Sequence, residues 1–382
     1  MKYMLNIDEV RTRLLVLMSA AILLMACSDD TDRQSEETAV LQIAAYTKTM
    51  ESPSWPVSTR AVSIPSGYSQ YTGSASIGVF LTQTPIDPNS TKMTLISYED
   101  NAWHSMAKVV NNTSYYIYGY MPAYAACEIS ENTNFENGAI LTFTNVPSVM
   151  SEDLSVITGV LQLEADPDHD GKAIEEGTMK AGTFAYRGKE SGKNFVNLMF
   201  DHLYGALNVT LNVEPNYNTL RTIKLKELKL KTSANGTPTK SKTNLTVTLN
   251  KTDGETPINS VVFTPSGAVV DDVPFFQSAT GEALETSDRS FMGYFMPDAI
   301  TTFVLTSVYD VYDKNITTEH PDGNLIRKDC TAENTLEISQ LFDRQTVTQR
   351  GWKYNVKLTI KPTYLYMLSE PDLDSPTVVV VN

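Results

Sequence analysis

Along most of the chain, apolar residues recur at every second position in short runs closed by proline, glycine or asparagine, a spacing that predicts strands. The clearest run is "GWKYNVKLTIKP", Gly351 to Pro362. Trp352, Tyr354, Val356, Leu358 and Ile360 form one face there, and Lys353, Asn355, Lys357 and Thr359 the other. Alternation of that kind predicts a half-buried antiparallel strand. "NFVNLMFDHLYGALNVTLNVEP" sets Val209, Leu211 and Val213 against Thr210 and Asn212, and "NLTVTLN" repeats the pattern with Leu245, Val247 and Leu249. "ASIGVFLTQ", "SYYIYGYMPAY" and "GAILTFTNVP" read as further strands, each stopped near a proline. Thr, Tyr, Val and Asn are frequent and long Ala/Glu/Lys/Leu runs are missing, so no helix is predicted. The expectation is an all-β protein of sandwiches. We place a boundary near Asn194 to Phe200, giving residues 61–195 and 196–363, with Glu164 to Ser191 as an elaborated surface region.

The ends depart from this pattern. Lys2, Arg11 and Arg13 precede the apolar run Leu14 to Ala26, too short for a comfortable membrane span and suited to a signal-peptide core. The run ends at "LMAC", which resembles a bacterial lipobox with Cys27 as the lipidated residue, and residues 1–27 are assigned to export. Residues 28–60 form a tether. Within it Ala39 to Thr47 reads as a strand apolar on both faces, buried in a sheet, before Pro53, Pro56 and Ser58 break the pattern. Arg60 stands in that bend, either as a solvated side chain or as a site of proteolytic release of the N-terminal strand. At the other end, residues 364–382 hold two extended pieces split by Glu370–Pro371–Asp372, the second being Val378, Val379, Val380 and Val381. These valines either complete the chain's own sheet or pair with another molecule's.

Composition excludes more than it assigns. The chain carries a formal charge of −15 with no basic cluster, which gives no footprint for nucleic acid. Beyond the lipobox only Cys127 and Cys330 remain, one bridge or two thiols. The four histidines, His104, His169, His202 and His320, share no metal-ligand spacing. Asp166, Asp168 and Asp170 lack the glutamate that closes a calcium loop, and Asp310 and Asp313 read as solvated loop carboxylates. Asp201–His202 has no serine elbow to complete a triad and reads as a packed histidine. Nothing points to an enzyme, a metal or a cofactor.

The lipobox at Leu24 to Cys27, Arg60–Ala61, "YYIYGYMP" at Tyr115 to Pro122, "FDHLYGALNV" at Phe200 to Val209 and "GWKYNVKLTIKPT" at Gly351 to Thr363 together resemble the fimbrillin family of Bacteroidetes. The resemblance spans almost the whole chain. It implies two transthyretin-like β-sandwich domains in tandem, export to the outer membrane as a lipoprotein by the lipoprotein export machinery, and cell-surface localisation. An arginine-specific protease would cut between Arg60 and Ala61, removing the strand at Ala39 to Thr47. A strand from another pilin subunit would fill the groove, with Val378 to Val381 as the candidate donor, in a stalk or tip subunit that supports adhesion to a host or bacterial receptor. The alternative is a non-polymerising surface lipoprotein that binds glycan or protein ligands, with Tyr115 to Tyr120 as a platform.

Overall fold

The computed structural model describes residues 38–51, 67–71, 73–84, 91–161, 184–189, 194–251, 257–269, 273–297, 299–314, 317–319, 323–342 and 345–361. In chain order the main strands are β1 (Gln42–Lys48), β2 (Tyr68–Gln70), β3 (Ile77–Thr82), β4 (Ser114–Met121), β5 (Gly138–Pro147), β6 (Ser155–Leu161), β7 (Phe195–His202), β8 (Gly205–Val213), β9 (Arg221–Ala234), β10 (Lys240–Asn250), β11 (Ile258–Val269), β12 (Val273–Leu284), β13 (Arg289–Phe295), β14 (Thr302–Asp313), β15 (Leu325–Glu337) and β16 (Lys353–Ile360). Helix is confined, among the described residues, to short turns at Pro215–Leu220 and Ile338–Leu341. The chain is all-β, as its alternation predicts.

The first sheet runs β2–β1–β7–β6–β4–β3 and continues through Thr94–Glu99 and Ala102–Ser105. On one of its faces Val79, Ile117, Leu198 and Phe200 gather around Leu41 and Ile43. Its other side supplies Phe80, Tyr118, Tyr120 and Val156, which pack with Leu141, Phe143, Leu245 and Val247. Those residues belong to a second sheet, β11–β10–β5 followed by Cys127–Glu131. A third sheet, Val149–Met150 with β13, β8 and β16, shares its core with a fourth built from β12, β9, β14 and β15. That core holds Val209, Leu225, Phe295, Phe303 and Tyr354.

β8 shows why alternation was a sound guide. Val209, Leu211 and Val213 are buried, while the outward side chains pair across the sheet. Asn208 Nδ2 donates to Asn355 Oδ1 at 2.9 Å, Thr210 and Ser290 hydroxyls lie 3.0 Å apart, and Asn212 Nδ2 donates to Asp288 Oδ1 at 2.8 Å. One face is thus fixed by burial and the other by cross-strand polar pairs.

Three expectations need revision. β16 has the predicted in/out alternation, with Tyr354 and Val356 buried, but it pairs parallel to β8, Ala206 with Lys353 through Val213 with Ile360. One-sided alternation reports burial and is silent on a neighbour's direction. Asp310 is no loop carboxylate: it is buried within β14 and accepts the Asp329 amide at 2.7 Å, while Asp313 ends the same strand. Ala185–Arg187, assigned to the surface region, pairs with β4. β5 joins β10 in antiparallel register from Gly138 with Asn250 to Pro147 with Lys242.

Candidate strand-binding site

The N-terminal strand is inserted rather than appended. β1 lies between β7, to which it is parallel (Gln42 with Phe195 through Thr47 with Phe200), and β2, to which it is antiparallel (Tyr46 with Gln70 through Lys48 with Tyr68). Outside the ladders the Leu41 amide donates to Ala107 O at 2.9 Å and the Gln42 amide to Asn194 O at 2.7 Å. Its two faces go to different clusters, because successive side chains of a strand point opposite ways. Leu41, Ile43 and Ala45 enter the core of the first sheet, and Ala44 and Tyr46 pack with Met199, Tyr68 and Phe195. This is the two-faced strand expected over Ala39 to Thr47, with Thr38–Val40 as a separate short strand before it.

Beyond β1 the chain holds to a second element. The Glu51 amide donates to Gly351 O at 3.0 Å, and the Lys353 amide donates to Glu51 O at 2.7 Å, a parallel bridge centred on Glu51 and Trp352. Residues 42–51 therefore bind β7 first and the approach to β16 next.

Where β1 ends, charged groups converge. His202, the last residue of β7, is buried. Its Nδ1 lies 2.5 Å from Asp153 Oδ2, which also accepts the Ser155 hydroxyl at 2.6 Å. Its Nε2 meets the carbonyl oxygen of Lys48. Asp201, buried beside it, receives Lys48 Nζ at 3.5 Å and Arg350 Nη1 at 3.5 Å, and Arg350 Nη1 also donates to His202 O at 2.6 Å. Burial pushes the imidazole towards the neutral form; the Asp153 carboxylate, the hydrogen bonds to Asp153 and Lys48 O, and Asp201 outweigh it and raise the His202 pKa. Asp201–His202 is thus a packed, hydrogen-bonded pair. The adjacency of the two residues was readable; Asp153, Lys48 and Arg350 lie too far away in sequence for any spacing rule to reach them.

No family model and no curated protein matches the sequence. Among solved structures the chain is similar to a candidate cell adhesion protein from Bacteroides fragilis, with 10% identity over 85% of this chain and 94% of that one and a TM-score of 0.39. It is also similar to a fimbrial protein from Bacteroides vulgatus (14% identity, 74% of this chain, 88% of that one, TM-score 0.34). A candidate cell adhesion protein from Bacteroides uniformis aligns at 13% identity over 84% of this chain and 93% of that one, with a TM-score of 0.35. These neighbours are fimbrial and cell adhesion proteins of Bacteroides.

Cys27, Arg60, Ala61 and Val378 to Val381 lie outside the described residues, as do Asp166, Asp168, His169, Asp170 and His320. His104 sits in the hairpin joining Thr94–Glu99 to Ala102–Ser105, its Nε2 3.2 Å from Glu99 O. Cys127 and Cys330 are free thiols on different sheets. The aromatic stretch of β4 turns inward: Tyr118 donates to Phe135 O at 2.5 Å and Tyr120 to Ala125 O at 2.6 Å, both fully buried. Tyr115 and Tyr116 are only half-buried.

Proposed function

We propose that the chain is a fimbrial subunit, stalk or tip, in which the N-terminal strand is a temporary occupant of its seat. In this reading Cys27 is lipidated during export to the outer membrane and an arginine-specific protease cuts between Arg60 and Ala61. The segment 28–60 then leaves, and a strand from another subunit takes the place of β1; Val378 to Val381 are the candidate donor. The tandem sandwich domains implied by the fimbrillin resemblance, 61–195 and 196–363, are part of the same proposal. The role is structural and adhesive rather than enzymatic.

The observation that carries the proposal is the seating of β1. Residues 42–48 sit inside a sheet with apolar side chains on both faces. In the sequence the only arginine between Glu51 and Gly67 is Arg60. Burying Leu41 and Ile43 contributes about 3–6 kcal/mol, and each backbone hydrogen bond adds about 1 kcal/mol. An emptied seat would expose that apolar surface together with the unpaired edge of β7, both costly in water. Strand addition repairs both at once and joins subunits head to tail, a contact that propagates instead of closing. The rival reading, a sugar platform on Tyr115 to Tyr120, loses support from the burial of Tyr118 and Tyr120.

The test is the N-terminus of the protein recovered from the bacterial surface, read by mass spectrometry, with electron microscopy of the same cells. Ala61 at the N-terminus and fibres absent from an Arg60→Ala strain are expected. Chains starting at Cys27 in normal-length fibres would overturn the proposal. A chain processed to Ala61 and truncated after Asp374 is expected to fold and remain monomeric.

A further inference from the structure

We infer that Asp153, Asp201, His202 and Arg350 form a recognition site for the end of an extended strand, one that reads a backbone carbonyl and a basic side chain, with Lys48 as its resident ligand. The inference rests on the strand-seat reading above and names the occupant that the seat selects.

The argument starts from proton counting. His202 Nδ1 faces a carboxylate oxygen and Nε2 faces a carbonyl oxygen, and both are acceptors. A neutral imidazole has one N–H to give; only imidazolium satisfies both. A cation held there in the interior is balanced by Asp153, whose other oxygen, Oδ1, is buried with no partner among the described residues. The second carboxylate, Asp201, is shared between Arg350 and Lys48 Nζ, each at 3.5 Å. The site therefore has one place for a carbonyl and one for an ammonium or guanidinium, set one residue past the Thr47–Phe200 pair. An apolar strand without a basic residue at that position fills the apolar seat and leaves Asp201 to Arg350 and the His202 amide, without the Lys48 ammonium.

The candidate donor segment offers no basic residue in its sequence. Residues 362–382 contain no lysine or arginine, and their charged residues are Glu370, Asp372 and Asp374. The site thus ranks occupants: a strand with Lys or Arg at the position of Lys48 is preferred over this tail, and an acidic residue there is disfavoured by Asp153 and Asp201 together. The complementary partner is an extended segment, parallel to β7, with a basic residue following its apolar alternation.

The site also confers a pH dependence. The charged and titratable groups around the imidazole are Lys48 on β1, Tyr68 on β2, Asp153 ahead of β6, Asp201 on β7 and Arg350 ahead of β16. Tyr71 and Tyr294 lie near Asp153, both pushed up mainly by burial and further by that carboxylate. Because the His202 pKa is raised on folding, the grip on Lys48 is complete below about 6.5, the ordinary histidine value. It is lost as pH rises through the folded value.

Hydrogen exchange on the unprocessed full-length chain tests this without any polymer. Protection of residues 42–48 is compared with that of β9 and β14 in the same molecule, at pH 6 and pH 9, corrected for intrinsic exchange. Wild type is expected to lose protection of β1 at least tenfold between the two pH values. Lys48→Arg should match it. Lys48→Glu and Lys48→Met should lose protection at pH 6, and His202→Gln should abolish the pH dependence while β9 and β14 are unaffected. Wild-type protection in Lys48→Glu, or an unchanged pH profile in His202→Gln, overturns the inference. Since the chain tested is uncut, the outcome is independent of whether fibres form.

Discussion

Glu51 and Lys353 are joined backbone to backbone: the Lys353 amide donates to the Glu51 carbonyl at 2.7 Å, two residues from where Gly351 accepts the Glu51 amide at 3.0 Å. The strand β16 that begins at Lys353 lies in the third sheet, whereas β1, which ends at Lys48, lies in the first. The N-terminal segment is therefore a clasp between two sheets as well as a strand of one of them. Glu51→Pro removes one donor and leaves the Gly351 carbonyl short of its partner. It is expected to cost about 1 kcal/mol in urea unfolding and to raise exchange at the Lys353 amide.

Within the seat, Ile43 is a buried position whose truncation can be read directly. It is buried against the core of the first sheet and belongs to the same face as Leu41 and Ala45. Ile43→Ala removes three heavy atoms and leaves a cavity that the flanking strands, fixed by their ladders, close only in part. A loss of about 2–5 kcal/mol is expected, read from the urea midpoint of the full-length chain. Gln42→Ala, on an exposed side chain in the same strand, should leave that midpoint within about 0.5 kcal/mol of wild type.

How much of this was legible depended on whether an interaction was local. The alternation at Val209 to Val213 and at Leu245 to Leu249 placed the correct side chains inside, because burial of one face repeats every two residues. The two-faced strand around Ile43 was legible for the same reason. The direction of pairing was not: β1 on β7 and β16 on β8 are parallel, and nothing in one strand's own residues encodes its neighbour's course. Asp310 reads as a loop carboxylate because aspartates beside an asparagine imitate a loop, whereas its β14 neighbours Tyr309 and Val311 pair on both sides. The charged end of the seat was invisible in outline, since His202 and Asp153 are 49 residues apart and Lys48 is 154 residues from His202.

The pairing of β5 with β10 begins at a position that only glycine fills well. Gly138 has φ of +140°, and a Cβ there would strike the carbonyl of Leu249 on the paired strand. Gly138→Ala has both faults, a strained backbone and a clash with main chain that has no rotamer to change. It is expected to destabilise by about 1–3 kcal/mol or more and to expose Tyr118 and Phe143, which pack under that sheet, to solvent. Loss of near-ultraviolet circular dichroism ahead of the urea transition would report it.

The thiols give a chemical check on the same region. Cys127 is paired opposite Phe143 and its thiol is pushed up by burial, then by Glu128, with a backbone hydrogen bond from the Thr142 side opposing. The thiolate is the reactive form, so a raised thiol is slow to alkylate. Native protein at pH 8 is expected to label at Cys127 far more slowly than protein in urea, and both Cys127 and Cys330 should label fully once unfolded without reductant. Masses lower by two hydrogens before reduction would contradict the free-thiol assignment.

The buried carboxylate of Asp310 is the last position where structure and sequence pattern part, and a pair of variants separates its charge from its geometry. Asp310 Oδ1 accepts the amide of Asp329, a residue held at φ of +52° on β15, and Lys226 Nζ lies 3.8 Å from Asp310 Oδ2. Lys226 is also bonded to Asp329, so the carboxylate fixes a bulge between β14 and β15 that the lysine closes from outside. Asp310→Asn keeps an oxygen for the Asp329 amide and is expected to cost little. Asp310→Ala leaves that amide without its partner and should cost about 1–3 kcal/mol. Equal urea midpoints for the two variants, both well below wild type, would instead assign the stabilisation to the ion pair with Lys226.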